Sequence, residues 1–85
     1  MQIYLGKTGL DATFQDSFPK KTKCYKCGKD AKIMFVAQEW DEKEYVCNLH
    51  RTTGKEGGLW FHDAVSVALY ACSHCLEVTA LANQA

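Results

Sequence analysis

Apolar and polar positions along the chain change over in short stretches, and most of these read as strands. Residues 31–38, with Ile33, Phe35 and Val36, are β-branched and aromatic enough to form one. Trp40, Asp41, Glu42 and Lys43 then reverse the chain, so that residues 44–47 return as the second strand of a hairpin. Gly54, Gly57 and Gly58 make residues 52–58 a flexible loop. Near the start, residues 2–5 form a short strand, followed by a loop-rich segment with Gly6, Gly9, Asp11, Asp16 and the only proline, Pro19.

The last third fits two periods. Phe61, Ala64, Val65, Ala68, Leu69, Cys72, Cys75 and Leu76 lie on a helical stripe, whereas Val65, Val67, Leu69 and Ala71 alternate as in a strand. The Cys72/Cys75 spacing favours the strand, because a tight turn of that kind joins two extended arms. This predicts strands over 63–71 and 77–81, with a short C-terminal helix as the alternative that the alanines favour.

Size changes how such a pattern can be stable. A chain of 85 residues buries only about 60% of the surface exposed when unfolded, so a domain of this length normally needs a staple. Its five cysteines are the candidates. A disulfide framework calls for an oxidising compartment, yet the start turns polar at once and lacks the apolar core of a secretion signal. The longest uncharged apolar stretch, 64–76, is shorter than the roughly 20 residues of a membrane span. The chain therefore reads as soluble and cytoplasmic, without a membrane partner, its thiols reduced or metal-bound.

Ten basic and ten acidic residues cancel, which excludes the global field behind non-specific attraction to nucleic acid or anionic lipid. Charge is nevertheless uneven. Lys20, Lys21, Lys23, Lys26, Lys29 and Lys32 crowd the first cysteine pair, with Asp30 alone opposing them; Glu39, Asp41, Glu42 and Glu44 form an acidic tip.

Three pairs share a two-residue spacing: Cys24 with Cys27, Cys47 with His50, and Cys72 with Cys75. One tight turn can point both side chains of such a pair at a single ion, so each is half of a tetrahedral site. Inert buried cysteines explain isolated residues but not a repeated spacing. Cys24, Cys27, Gly28 and Lys29 ahead of a hairpin, and Tyr70, Cys72 and Cys75 late in the chain, resemble the two knuckles of the zinc-ribbon superfamily. The resemblance covers residues 24–82 and implies a small mostly-β fold around one structural zinc, held by Cys24, Cys27, Cys72 and Cys75. Members of that superfamily serve in transcription, translation, RNA modification and protein assembly, which makes either a protein or a nucleic acid the implied partner. The chain divides accordingly into a loop-rich segment, 1–23, and a zinc-ribbon domain, 24–85.

One departure from the compact pattern leaves a rival ligand set. Forty-four residues separate Cys27 from Cys72, against 19 between Cys27 and Cys47, and the shorter span suits a zinc site of Cys24, Cys27, Cys47 and His50. The four-cysteine set leaves only one cysteine and one histidine over, whereas the rival strands a spaced dithiol. His74 lies inside the second knuckle and should point away from its metal, and His62, after Trp60 and Phe61, reads as a strand-edge residue.

Two enzymatic readings compete with an interaction module. Cys72 and Cys75 resemble a redox dithiol, but a thioredoxin-like arrangement places that motif early and requires a proline loop after it, whereas Pro19 lies upstream. A zinc-dependent enzyme would use three protein ligands and an open position, with His50 or Asp63 to handle protons. No metalloenzyme motif, phosphate-binding glycine loop or nucleophile elbow accompanies the cysteines.

Overall fold

A computed structural model describes residues 2–38 and 65–84. Among the described residues, five strands form one antiparallel sheet: β1 (Gln2–Leu5), β2 (Lys21–Lys23), β3 (Asp30–Gln38), β4 (Val65–Cys72) and β5 (Val78–Gln84), with a 3-10 turn at Gly6–Gly9. The order across the sheet is β1, β3, β4, β5. Strand β2 lies on the same edge of β3 as β1, because Ala31 pairs with both Thr22 and Cys72 while Val36 pairs with both Tyr4 and Ala68.

Strand β4 shows why the sheet has an inside. Its even-numbered residues, Ser66, Ala68, Tyr70 and Cys72, are buried and its odd-numbered ones half-buried, the period of two expected of a strand packed harder on one face. Opposite it, Ile33 pairs with Tyr70 and Phe35 with Leu69, so Met34 is one residue too many for the ladder. That bulge switches the parity of β3. Ala31 and Ile33 before it, and Val36 after it, therefore all reach the core shared with Ala68, Tyr70 and Cys72.

The segment between β1 and β2 covers this core. Phe18 is buried, and Leu10 and Ala12 pack beside it. The Phe18 N–H donates to the Leu10 carbonyl (2.9 Å), and the fully buried Tyr70 donates its hydroxyl to the Pro19 carbonyl (2.7 Å). At the far side of the sheet, the Phe14 N–H donates to Asn83 Oδ1 (3.1 Å) and Gln15 Nε2 to the Gln84 carbonyl (2.9 Å). Gly9 is where the cover comes closest: a methyl group there would overlap Tyr4 and lie 3.0 Å from Val36 Cβ.

The expected small mostly-β fold is thus observed, with the strand at 2–5 in place. The first C-terminal strand ends at Cys72, one residue later than expected, its expected start at 63–64 lying outside the described residues; the second runs over 78–84, and is a strand, not the alternative short helix. The reason is pairing. Residues 78–84 add a full ladder to β4, and that tertiary ladder outweighs the helix preference of Ala80 and Ala82. The segment read as loop-rich adds β1 and β2 to the sheet and a lid to the core. The expected hairpin strand at 44–47, the loop at 52–58 and the aromatics Trp40, Trp60 and Phe61 lie outside the described residues.

Candidate metal centre

Two hairpins turn at the same end of the sheet. Strand β3 begins there and β4, antiparallel to it, ends there, with Ala31 opposite Cys72. The turn from β2 into β3 holds Cys24 and Cys27; the turn from β4 into β5 holds Cys72 and Cys75. Register alone therefore brings together two cysteine pairs that are far apart in sequence.

The two turns are built alike. The Cys24 N–H donates to the Lys29 carbonyl (2.7 Å) and the Gly28 N–H to the Cys24 carbonyl (3.0 Å); the Cys72 N–H donates to the Glu77 carbonyl (3.0 Å) and the Leu76 N–H to the Cys72 carbonyl (2.9 Å). The fifth residue of each turn is left-handed, Gly28 at φ 76° and Leu76 at φ 64°. Glycine adopts that conformation freely. Leucine does not, and Leu76 is 83% exposed, so its side chain gains little from burial in return.

All four Sγ atoms lie within 4.8 Å of one another. Cys24 approaches Cys75 and Cys27 approaches Cys72, each pair at 3.5 Å. A disulfide would require about 2.05 Å, and none of the four cysteines is in one. A tetrahedron of sulfurs around an ion at about 2.3 Å has edges near 3.8 Å. The cluster is close to that size, with Cys24 and Cys72 buried, Cys75 half-buried and Cys27 exposed. It can accept one tetrahedral, thiophilic metal ion.

Backbone amides prepare the thiols for that role. The N–H groups of Cys27 and Lys26 point at Cys24 Sγ and hold its pKa down at about 6, against burial, which acts the other way. Those of Cys75 and His74 do the same for Cys72, whose pKa is also lowered. Hydrogen bonds to sulfur favour the charged thiolate. At Cys75 the Glu77 N–H pulls in the same direction, but burial and the shared protons of Cys24, Cys72 and Cys27 outweigh it and push the thiol up to about 12. Four sulfurs so close cannot all ionise without a cation among them.

A polar clasp outside the cluster joins the knuckles. Glu77 accepts from Lys26 Nζ (3.1 Å) and from the Tyr25 hydroxyl (3.2 Å), and the Tyr25 N–H donates to Thr79 Oγ1 (3.1 Å). Lys26 first, then Tyr25, hold the Glu77 carboxyl below its usual range, and Glu77 in turn raises the pKa of both. Tyr25 and Lys26 are solvent-exposed and Glu77 and Thr79 half-buried, so the clasp orients the turns more than it stabilises the fold. Lys29 Nζ lies 3.4 Å from His74 Nδ1, and His74 is not part of the sulfur cluster.

The structure thus brings together Cys24, Cys27, Cys72 and Cys75; Cys47, His50 and His62 lie outside the described residues. Sequence reasoning missed the clasp and the equivalence of Gly28 with Leu76. The spacing from first cysteine to fifth turn residue was available as a signal, but a leucine at the second position conceals it. Among the described residues, no helix is long and apolar enough to cross a membrane. Comparison with protein-family models, curated proteins and solved structures finds no match to this chain.

Proposed function

We propose that the chain is a zinc-ribbon-like interaction module of the cytoplasm, in which Cys24, Cys27, Cys72 and Cys75 hold one structural Zn²⁺ and the sheet presents a surface to a macromolecular partner. The observation that carries the reading is the convergence of four thiols from two like-built turns within 4.8 Å. Four thiolate ligands close a zinc site and leave no position for water, the arrangement of structural rather than catalytic zinc. Four thiolates around one Zn²⁺ carry a net charge of −2, and Lys26 and Lys29 stand on the turns that surround it. The ion would supply what the small core lacks, since binding energy at such a site is also folding energy.

Metal analysis by native mass spectrometry, combined with a chelator-dependent circular dichroism melt, tests the ligand set. The purified chain should carry one zinc and lose its cooperative fold on chelation. Cys72→Ser and Cys75→Ser should each release the metal, while Cys47→Ala and His50→Ala retain it. Zinc lost from Cys47→Ala but kept by Cys72→Ser would transfer the site to Cys24, Cys27, Cys47 and His50. Reduction of insulin disulfides faster than by a free dithiol would restore the oxidoreductase reading.

A further inference from the structure

Strands β1 and β2 share one edge of β3 without meeting. Leu5 pairs with Phe35 and Lys21 with Lys32, and the Ile33 N–H donates to the Lys20 carbonyl (3.0 Å), so the edge is open only alongside the bulge at Met34. A cavity of about 460 Å³ fills this notch, lined by Gly6, Lys7, Lys20, Lys21, Lys32 and Ile33. Three separate stretches of chain contribute its four lysines. Lys21 is paired with Asp30 at 3.2 Å, but among the described residues no carboxylate pairs with Lys7, Lys20 or Lys32.

Lys21 and Lys32 are direct cross-strand neighbours, a like-charge placement that Asp30, 3.2 Å from Lys21, offsets on the Lys21 side only. The exposed wall of the cavity is mostly carbon, with Ile33 among the lining residues, and lysines in such a wall lend it their apolar stems while their ammonium groups stay in water. An apolar wall suits a flat ring, and a cationic rim suits its phosphate. The volume falls within the range of small-ligand sites.

We propose that this notch binds a nucleotide unit, its base or sugar against the apolar wall that includes Ile33 and its phosphate between Lys7, Lys20 and Lys32. The proposal deepens the interaction-module reading by naming the ligand chemistry, but it does not depend on which residues hold the zinc. A free mononucleotide and a nucleotide within a single strand present the same group. An acidic peptide does not, because it lacks the flat ring.

The test is an amide chemical-shift titration of the zinc-loaded full chain with inorganic phosphate, adenosine monophosphate and a single-stranded oligoribonucleotide, with polyglutamate as the carboxylate control. Shifts should be centred on Gly6, Lys7, Lys20, Lys32 and Ile33. For the oligonucleotide, a Lys20→Gln/Lys32→Gln double variant should bind about tenfold or more weakly, and its log-affinity against log-salt slope should flatten by about 0.7 for each phosphate that the two lysines neutralise. Lys23→Gln, on β2 but outside the notch, should weaken binding by less than about twofold if recognition is local. Binding of the oligonucleotide much tighter than the monophosphate assigns the notch to a strand, and equal binding assigns it to free nucleotide; either supports the proposal. It is overturned if none of the three nucleotide or phosphate probes shifts these residues, if polyglutamate binds as tightly, or if Lys23→Gln matches the double variant. Zinc content and melting temperature of each variant separate a damaged notch from a damaged metal site.

Discussion

Leu76 and Gly28 occupy the same place in two like-built turns, yet only one is the residue that the backbone prefers there. A left-handed leucine costs about 1–2 kcal/mol, of which a glycine returns roughly 0.5–1 through the greater freedom of its unfolded chain. Leu76→Gly should therefore stabilise the domain by about 0.5–1 kcal/mol, seen as a higher melting temperature with zinc content unchanged. A drop in stability would mean that the leucine side chain packs to an extent worth more than its strain. Acid sensitivity is also set at the level of single residues. Cys24 has a folded pKa of about 6, below its ordinary 9.0, so its thiolate contributes stability above the ordinary value and that contribution disappears as pH falls through 6. Cys75, pushed up, has the opposite sign: its protonated form is favoured below the ordinary value, and the contribution is lost as pH climbs toward 12. A central cation cancels the second effect and strengthens the first. Zinc release, followed with a chromogenic chelator during acid titration, should accordingly have its midpoint below pH 6; a midpoint at neutral pH would contradict the amide-supported thiolates.

Among elements, β4 carries most of the organisation. It contributes Ala68, Tyr70 and Cys72 to the core and pairs with both long neighbours. Tyr70 also fastens the covering segment through its hydroxyl on the Pro19 carbonyl. Tyr70→Phe keeps the ring but leaves that carbonyl without this donor, and should cost about 1–2 kcal/mol in a denaturant melt. An unchanged melt would show that the covering segment is held by Phe18 and Leu10 packing alone. The alternation of Val65, Val67, Leu69 and Ala71 made β4 legible in the sequence, and the Cys72/Cys75 turn marked where it must stop. Other elements were not legible for definite reasons. Lys21–Lys23 is a strand through pairing with β3, with no apolar pattern of its own. The parity of β3 changes at Met34, a bulge that nothing in Ile33, Met34 or Phe35 announces. Lys7 belongs with Lys20 and Lys32 only after β1 and β2 take their places on one edge.

At the scale of the whole molecule, spacing identified which thiols to consider, and the sheet register supplied what spacing lacked, namely that β3 begins where β4 ends. That register gives the site a temporal property. Cys24 and Cys27 emerge during synthesis 51 and 45 positions ahead of the thiols they approach, Cys75 and Cys72 respectively. At roughly 5–20 residues per second the first pair waits about 2–10 s as a half-site. Throughout that interval it is an exposed dithiol, open to oxidation or to a competing soft metal such as Cu(I), and the hairpin of β2 and β3 has no β4 against which to pack. If the four thiols share one ion as proposed, maturation of this chain is a race between translation and thiol chemistry, and a slow codon between Cys27 and Cys72 would lengthen the vulnerable period without altering a single residue of the finished protein.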